Sequence, residues 1–129
     1  MTKHPTPARL ARAVAAALAV AAGCTPTPDP VDAPRARRAL VAALDGWRRG
    51  DAPAALRAAT PALTVQDLDW SGGARLLDYR VGGDGRETGP NLHIPARLTL
   101  RTPQGKEVRK DVTYIVGTSP ILTVFRAFP

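Results

Sequence analysis

A second cysteine is missing. The chain holds one, Cys24, among 129 residues, so no intramolecular disulfide can staple the fold. Histidine is nearly as scarce, with only His4 and His93, and so few nitrogen and sulfur donors exclude a zinc-type metal site. No apolar run reaches membrane-spanning length. The longest, Ala13 to Gly23, would rise only ~16 Å as a helix, about half of a ~30 Å hydrocarbon core. The one glycine-rich stretch, "GGDGRETG", lacks the Lys-Ser/Thr ending of a phosphate loop and leads into no helix. No cofactor is implied.

What is present begins with a leader. Lys3, Arg9 and Arg12 precede the apolar run with no acid among them, and the run exits through Ala21-Ala22-Gly23. This is the layout of a secretory signal. Ala21-Ala22-Gly23-Cys24 resembles the lipobox of bacterial lipoproteins, departing from its commonest form only at Ala21, where Leu is preferred. The resemblance implies removal of residues 1–23 as a signal peptide and a thioether-linked diacylglycerol on Cys24. Its partner would be membrane lipid, and its place the cell envelope, outside the cytoplasm. Two or three acyl chains, at ~0.8 kcal/mol per buried CH₂, hold a protein on a bilayer stably.

Residues 24–33 read as a tether. "TPTPDPVDAP" has four prolines in ten residues, which favours an extended spacer reaching ~30 Å. The headline charge of +7 falls to +4 without the leader, 15 basic residues against 11 acidic. Beyond Arg35-Ala36-Arg37-Arg38 there is no basic cluster in the chain, so nucleic acid is not an expected partner. The modest positive balance reads as a solvated, arginine-rich surface, the alternative being an electrostatic role near anionic lipid head groups.

Residues 34–129 suffice for one domain with one core. Leu40, Leu44 and Trp47 repeat at helical spacing, flanked by Val41 and Ala43, with Asp32 as a cap and Gly50 as a stop. Asp51 is expected to cap a second helix, "APAALRAA", which Pro61 ends. The period then falls to two. "LTVQDLDW" predicts a short strand, and "ARLLDYRV" alternates Leu77, Tyr79 and Val81 against Leu76, Asp78 and Arg80. "GGDGRETGP" reads as a turn region.

The strongest pattern is a hairpin closed at Pro103-Gln104-Gly105, with Thr102 opposite Lys106. That register sets Leu100, Leu98, Ala96, Ile94 and Leu92 against Val108, Lys110, Val112, Tyr114 and Val116. It also sets Arg101 against Glu107 and Arg97 against Asp111. One face is apolar except for Lys110, and a slip of one residue would break both patterns. Pro95 implies a bulge or an outward-facing position. Thr118-Ser119-Pro120 makes a turn before a closing strand, "ILTVFRAF".

The fold class is therefore α+β: two N-terminal helices on a curved antiparallel sheet of four to five strands. "ALDGWRRGDAPAAL" and "VTYIVGTSPILTVFRAF" resemble the cone-shaped nuclear-transport-factor-2-like superfamily, which includes SnoaL-like and ketosteroid-isomerase-like proteins. The likeness covers roughly residues 35–128, with the usual third helix reduced to a turn around Trp70 to Gly73. A helical hairpin on a four- or five-stranded sheet is the alternative.

The resemblance implies a site at the open end of the cone. An enzyme there would need a desolvated carboxyl. Asp67 and Asp69 are the candidates, with Trp70 and Tyr79 as candidate ligand-binding residues; His93 and Asp78 fall on the polar side of their strands. Shape alone assigns no activity. The expected function is an envelope lipoprotein presenting a non-catalytic binding or interaction domain, for another envelope protein, a second copy through the sheet, or a small apolar ligand. The alternative is a SnoaL-like enzyme using Asp67 or Asp69. For the anchor, Cys24→Ser should abolish metabolic labelling by a fatty-acid analogue and leave unprocessed precursor, and unchanged labelling refutes it.

Overall fold

The computed structural model describes Lys3 and residues 29–129; the remainder of the leader, Cys24 and residues 25–28 lie outside these. The first helix, α1, spans Ala33–Arg49. The Asp32 carboxylate accepts the Arg35 N–H at 3.0 Å, and Pro34 sits in the first turn, where no N–H is needed. Gly50 closes the helix at φ 94°, a left-handed conformation that glycine adopts without strain. Its N–H bonds the Trp47 carbonyl, and the Asp51 N–H bonds that of Gly46. Leu40, Leu44 and Trp47 are buried with Ala36, Ala39 and Ala43, while Val41 faces solvent.

The expectation of two α-helices fails. "APAALRAA" forms a six-residue 3₁₀ turn, Pro53–Ala58, with no side-chain cap. Asp51 instead pairs with Arg49 at 3.1 Å. So short a segment cannot offset the cost of nucleating an α-helix, and it buries only Leu56. Leu56 seats on Gly46, where an added Cβ would lie 3.1 Å from the leucine.

Six strands follow: β1 Thr64–Gln66, β2 Arg75–Val81, β3 Arg86–Thr88, β4 Asn91–Arg101, β5 Glu107–Gly117 and β6 Thr123–Arg126. A four-residue helix, α2, Leu68–Ser71, lies between β1 and β2. The sheet order is β1-β6-β5-β4-β2, with β3 paired to β4. The sheet is mixed rather than antiparallel, because β1 runs parallel to β6. The Leu63 N–H bonds back to Leu56 and the Thr64 N–H bonds Leu122. Together these bonds fix the direction in which the chain enters along the free edge of β6.

The β4–β5 hairpin has the predicted register throughout, from Asn91 opposite Gly117 to Arg101 opposite Glu107. Leu92, Ile94, Ala96, Leu98 and Leu100 all turn into the core. Pro95 falls between the part of β4 that pairs with β2 and the part that pairs with β3. Its missing N–H therefore leaves no gap in either ladder, and its carbonyl accepts the Gly82 N–H at 2.8 Å.

Two readings of the strands are corrected. A bulge between Leu76 and Asp78 sets both Leu76 and Tyr79 opposite inner-face residues, Leu100 and Leu98. Simple alternation had separated Leu76 from Tyr79, and an inserted residue resets that parity. The supposed turn region "GGDGRETGP" contains β3, which pairs with Asn91 to His93.

α1 lies across the inner face of the sheet and shares one core with it. Trp47 and Trp70 stack at its centre, ring centroids 5.1 Å apart and planes 3° from parallel. Each indole N–H is satisfied: Trp47 donates to the Ala74 carbonyl and Trp70 to that of Asp51, both at 2.9 Å. Among the described residues, no helix is long and apolar enough to cross a membrane.

Candidate functional site

The two carboxylates picked from the sequence meet at one place. Asp67 caps α2, its Oδ1 accepting the N–H groups of Asp69 and Trp70 at 3.0 and 3.2 Å. It is only 3 % exposed, and a buried carboxylate needs compensation. The Tyr114 hydroxyl donates to Oδ2 at 2.6 Å. Arg126 Nη1 donates to Oδ1 and Oδ2 at 3.0 and 3.2 Å. The same guanidinium reaches Asp69 through Nη2 at 2.6 Å. Lys110 Nζ completes the cluster, 3.0 and 3.1 Å from the two oxygens of Asp69.

β5 and β6 position these partners. Tyr114 and Arg126 stand directly opposite on the two strands, so both project to the inner face, and α2 lowers Asp67 and Asp69 onto them. Burial first, and then Asp67, hold the Tyr114 phenol far above its ordinary range. Partial burial alone would raise the Asp69 carboxyl, but Lys110 and Arg126 outweigh it and hold the group below the usual carboxylate range. Arg126 is likewise pushed up: its desolvation is outweighed by Asp67 and Asp69.

The cluster forms one wall of an open groove of ≈ 710 Å³. The other side is apolar, with Pro53, Val65, Leu68 and Phe128 on it, and Arg57 stands free of any ion pair among the described residues. Leu68 is 70 % exposed and Phe128 79 %. Two large apolar side chains are thus left open within one concavity.

The remaining candidates lie elsewhere. Trp70 is in the core, stacked on Trp47, and does not line the groove. Tyr79 donates to Asp45 Oδ1 at 2.7 Å. Burial, and then that bond, push its phenol up to about 12. His93 is half-buried on the outer face, opposite Arg86 and Ile115. Asp78 is exposed, 4.0 Å from Arg48. Cys24 lies outside the described residues. Among the described residues there is no group of three or more His, Cys, Asp or Glu side chains placed to hold a metal.

Sequence reasoning found the acids and missed their partners. The signal was available: Lys110 is the one break in the apolar face of the hairpin, and Arg126 continues the inward positions of Leu122 and Val124. Two cations aimed inward imply buried anions to meet them. Comparison with models of protein families, with curated proteins and with solved structures found no match.

Asp67→Asn keeps the cap and the tyrosine bond but leaves Arg126 without its main counter-charge. Urea denaturation should show a loss of about 3 kcal/mol, the lower end for breaking a buried ion pair, with Asp69→Asn milder. The pH dependence follows from the signs. A depressed carboxyl stabilises the fold above its ordinary 3.8, and that contribution is lost as pH falls through the folded value. A raised phenol stabilises below its ordinary 10.0 and the contribution is lost at higher pH. Urea midpoints should therefore decline on both sides of a neutral plateau, with Asp69→Asn flattening the acid limb and Tyr114→Phe the alkaline one.

Proposed function

We propose that the chain is a cell-envelope lipoprotein, anchored through lipidated Cys24 after loss of residues 1–23, that presents a small non-catalytic binding domain. In this reading the domain is a compact variant of the cone-shaped, nuclear-transport-factor-2-like architecture. A curved sheet with a helix across its inner face and a single turn of helix at Trp70 supports it. The observation that carries the functional reading is the saturation of Asp67 and Asp69. Both are held by Arg126, and each by Tyr114 or Lys110 in addition. A carboxylate so held is a poor general base, since a base must reach a substrate proton unencumbered. What the groove offers instead is apolar surface beside fixed charge, the usual composition of a ligand site.

A polarity-sensitive naphthylamine dye tests this. It should bind the full-length protein saturably, and Leu68→Ser with Phe128→Ser should weaken binding at least tenfold without altering the thermal midpoint. Binding indifferent to both substitutions would overturn the groove as the site. The enzyme alternative has one observation in its favour, a buried carboxylate on the groove wall. Deuterium exchange into a cyclic ketone, abolished by Asp67→Asn in protein that remains folded, would establish it over the binding reading.

A further inference from the structure

The outer face of the sheet carries an arrangement that strand pairing alone disfavours. Arg75 stands directly opposite Arg101, and Arg80 directly opposite Arg97. Like charges across neighbouring strands destabilise a sheet. The next rows bring Arg109 opposite Thr99 and Arg86 opposite His93. All six arginines are exposed. The acids on the same face are Asp78, Glu107 and Asp111, of which Asp78, at the sheet edge, reaches round to Arg48 of α1. The face therefore bears a net +3 of the +4 carried by residues 29–129. Only Arg97 is closely paired within it, to Asp111 at 2.8 Å. α1 lies on the opposite side, so among the described residues nothing packs over this lattice.

We propose that this face docks on an anionic lipid surface, the guanidinium groups meeting head-group phosphates, an inference that rests on the lipid-anchor reading. Arginine suits the task because its planar fork binds phosphate through two hydrogen bonds. The chain enters the domain where β4 begins and β5 finishes, the end of the sheet away from the Arg75–Arg101 pair. The Asp32 N–H bonds Thr118 Oγ1, and Ser119 Oγ bonds Asp29, at 3.0 and 3.1 Å. The outward row nearest that corner is Thr88, Asn91, Gly117 and Thr123, and the next is Arg86, His93, Ile115 and Phe125, which mixes charge with apolar side chains. Nucleic acid fits less well. Phe125 is the one aromatic on the face, and successive bases would find no stacking platform.

The test uses the natively processed protein in vesicles of phosphatidylcholine alone and in vesicles enriched in phosphatidylglycerol. Arginines are labelled with phenylglyoxal and read by mass spectrometry. Arg75, Arg80, Arg97 and Arg101 should be protected on the anionic vesicles, and reactive on neutral ones and in molar salt. Arg38 and Arg49 on α1 should react alike throughout. The double variant Arg80→Gln, Arg101→Gln should lose protection by about fivefold per arginine removed. Because each substitution relieves a like-charge pair, its thermal midpoint should hold or rise. Equal labelling on both vesicles, protection by RNA or an acidic peptide but not by vesicles, or a fall in midpoint matching the loss of protection would each overturn the proposal. Flotation with neutral vesicles reports the anchor separately: protein that fails to float refutes lipidation, while labelling on the anionic vesicles still decides the face.

Discussion

Asp67 is a carboxyl side chain enclosed by protein, and much of the groove's geometry follows from supplying it with partners. Its oxygens accept from two backbone amides, a phenol and a guanidinium. Those donors come from α2, β5 and β6, so one carboxylate ties α2 to a pair of strands distant from it in sequence. The parallel attachment of β1 brings Asp67 to this point, because the residue directly follows the strand that runs along β6. A hydrophobic side chain there would fill space without requiring Arg126 to turn inward, and the second link, from Arg126 to Asp69, would lose its origin. The groove exists because α2 is held at this angle, with Leu68 projecting away from the core.

The hairpin was legible in full from the sequence. Its two faces encode the register twice, once in apolar residues and once in opposite charges, and only one alignment satisfies both. The cap and stop of α1 were legible for a similar reason, since Asp32 and Gly50 each have a local geometric task. Failures came where a local signal was too weak to decide against tertiary context. "APAALRAA" has good helix formers but almost no apolar face, and a 3₁₀ turn satisfied its backbone at lower cost. The bulge at Leu77 left no trace in a row of leucines, since either parity buries one of them. The direction of β1 is set by contacts with Leu56 and Leu122, which no reading confined to the strand includes. At the site, the acids stood out and the cations did not, because an arginine among fifteen draws notice only once the inner face is known.

The sheet divides its labour between faces. Inward positions carry the core and, at one end, the ionic cluster. Outward positions carry arginine at a density that strand pairing tolerates only because each guanidinium reaches water. The free edges are managed differently. β1 and β3 are three residues each, which leaves little ladder for a foreign strand to extend, while the longer edge strand β2 is broken by its bulge and carries the charges of Arg75, Asp78 and Arg80.

The stacked indoles give the molecule a built-in optical gauge. Trp47 belongs to α1 and Trp70 to α2, and these are the two tryptophans of the chain. Parallel rings at this separation couple their electronic transitions, and the coupling fades steeply as they part. Any event that lifts α2, whether an occupant wedging into the concavity or protonation loosening the ionic cluster, would register as a change in near-ultraviolet ellipticity, without a label and in the unaltered protein.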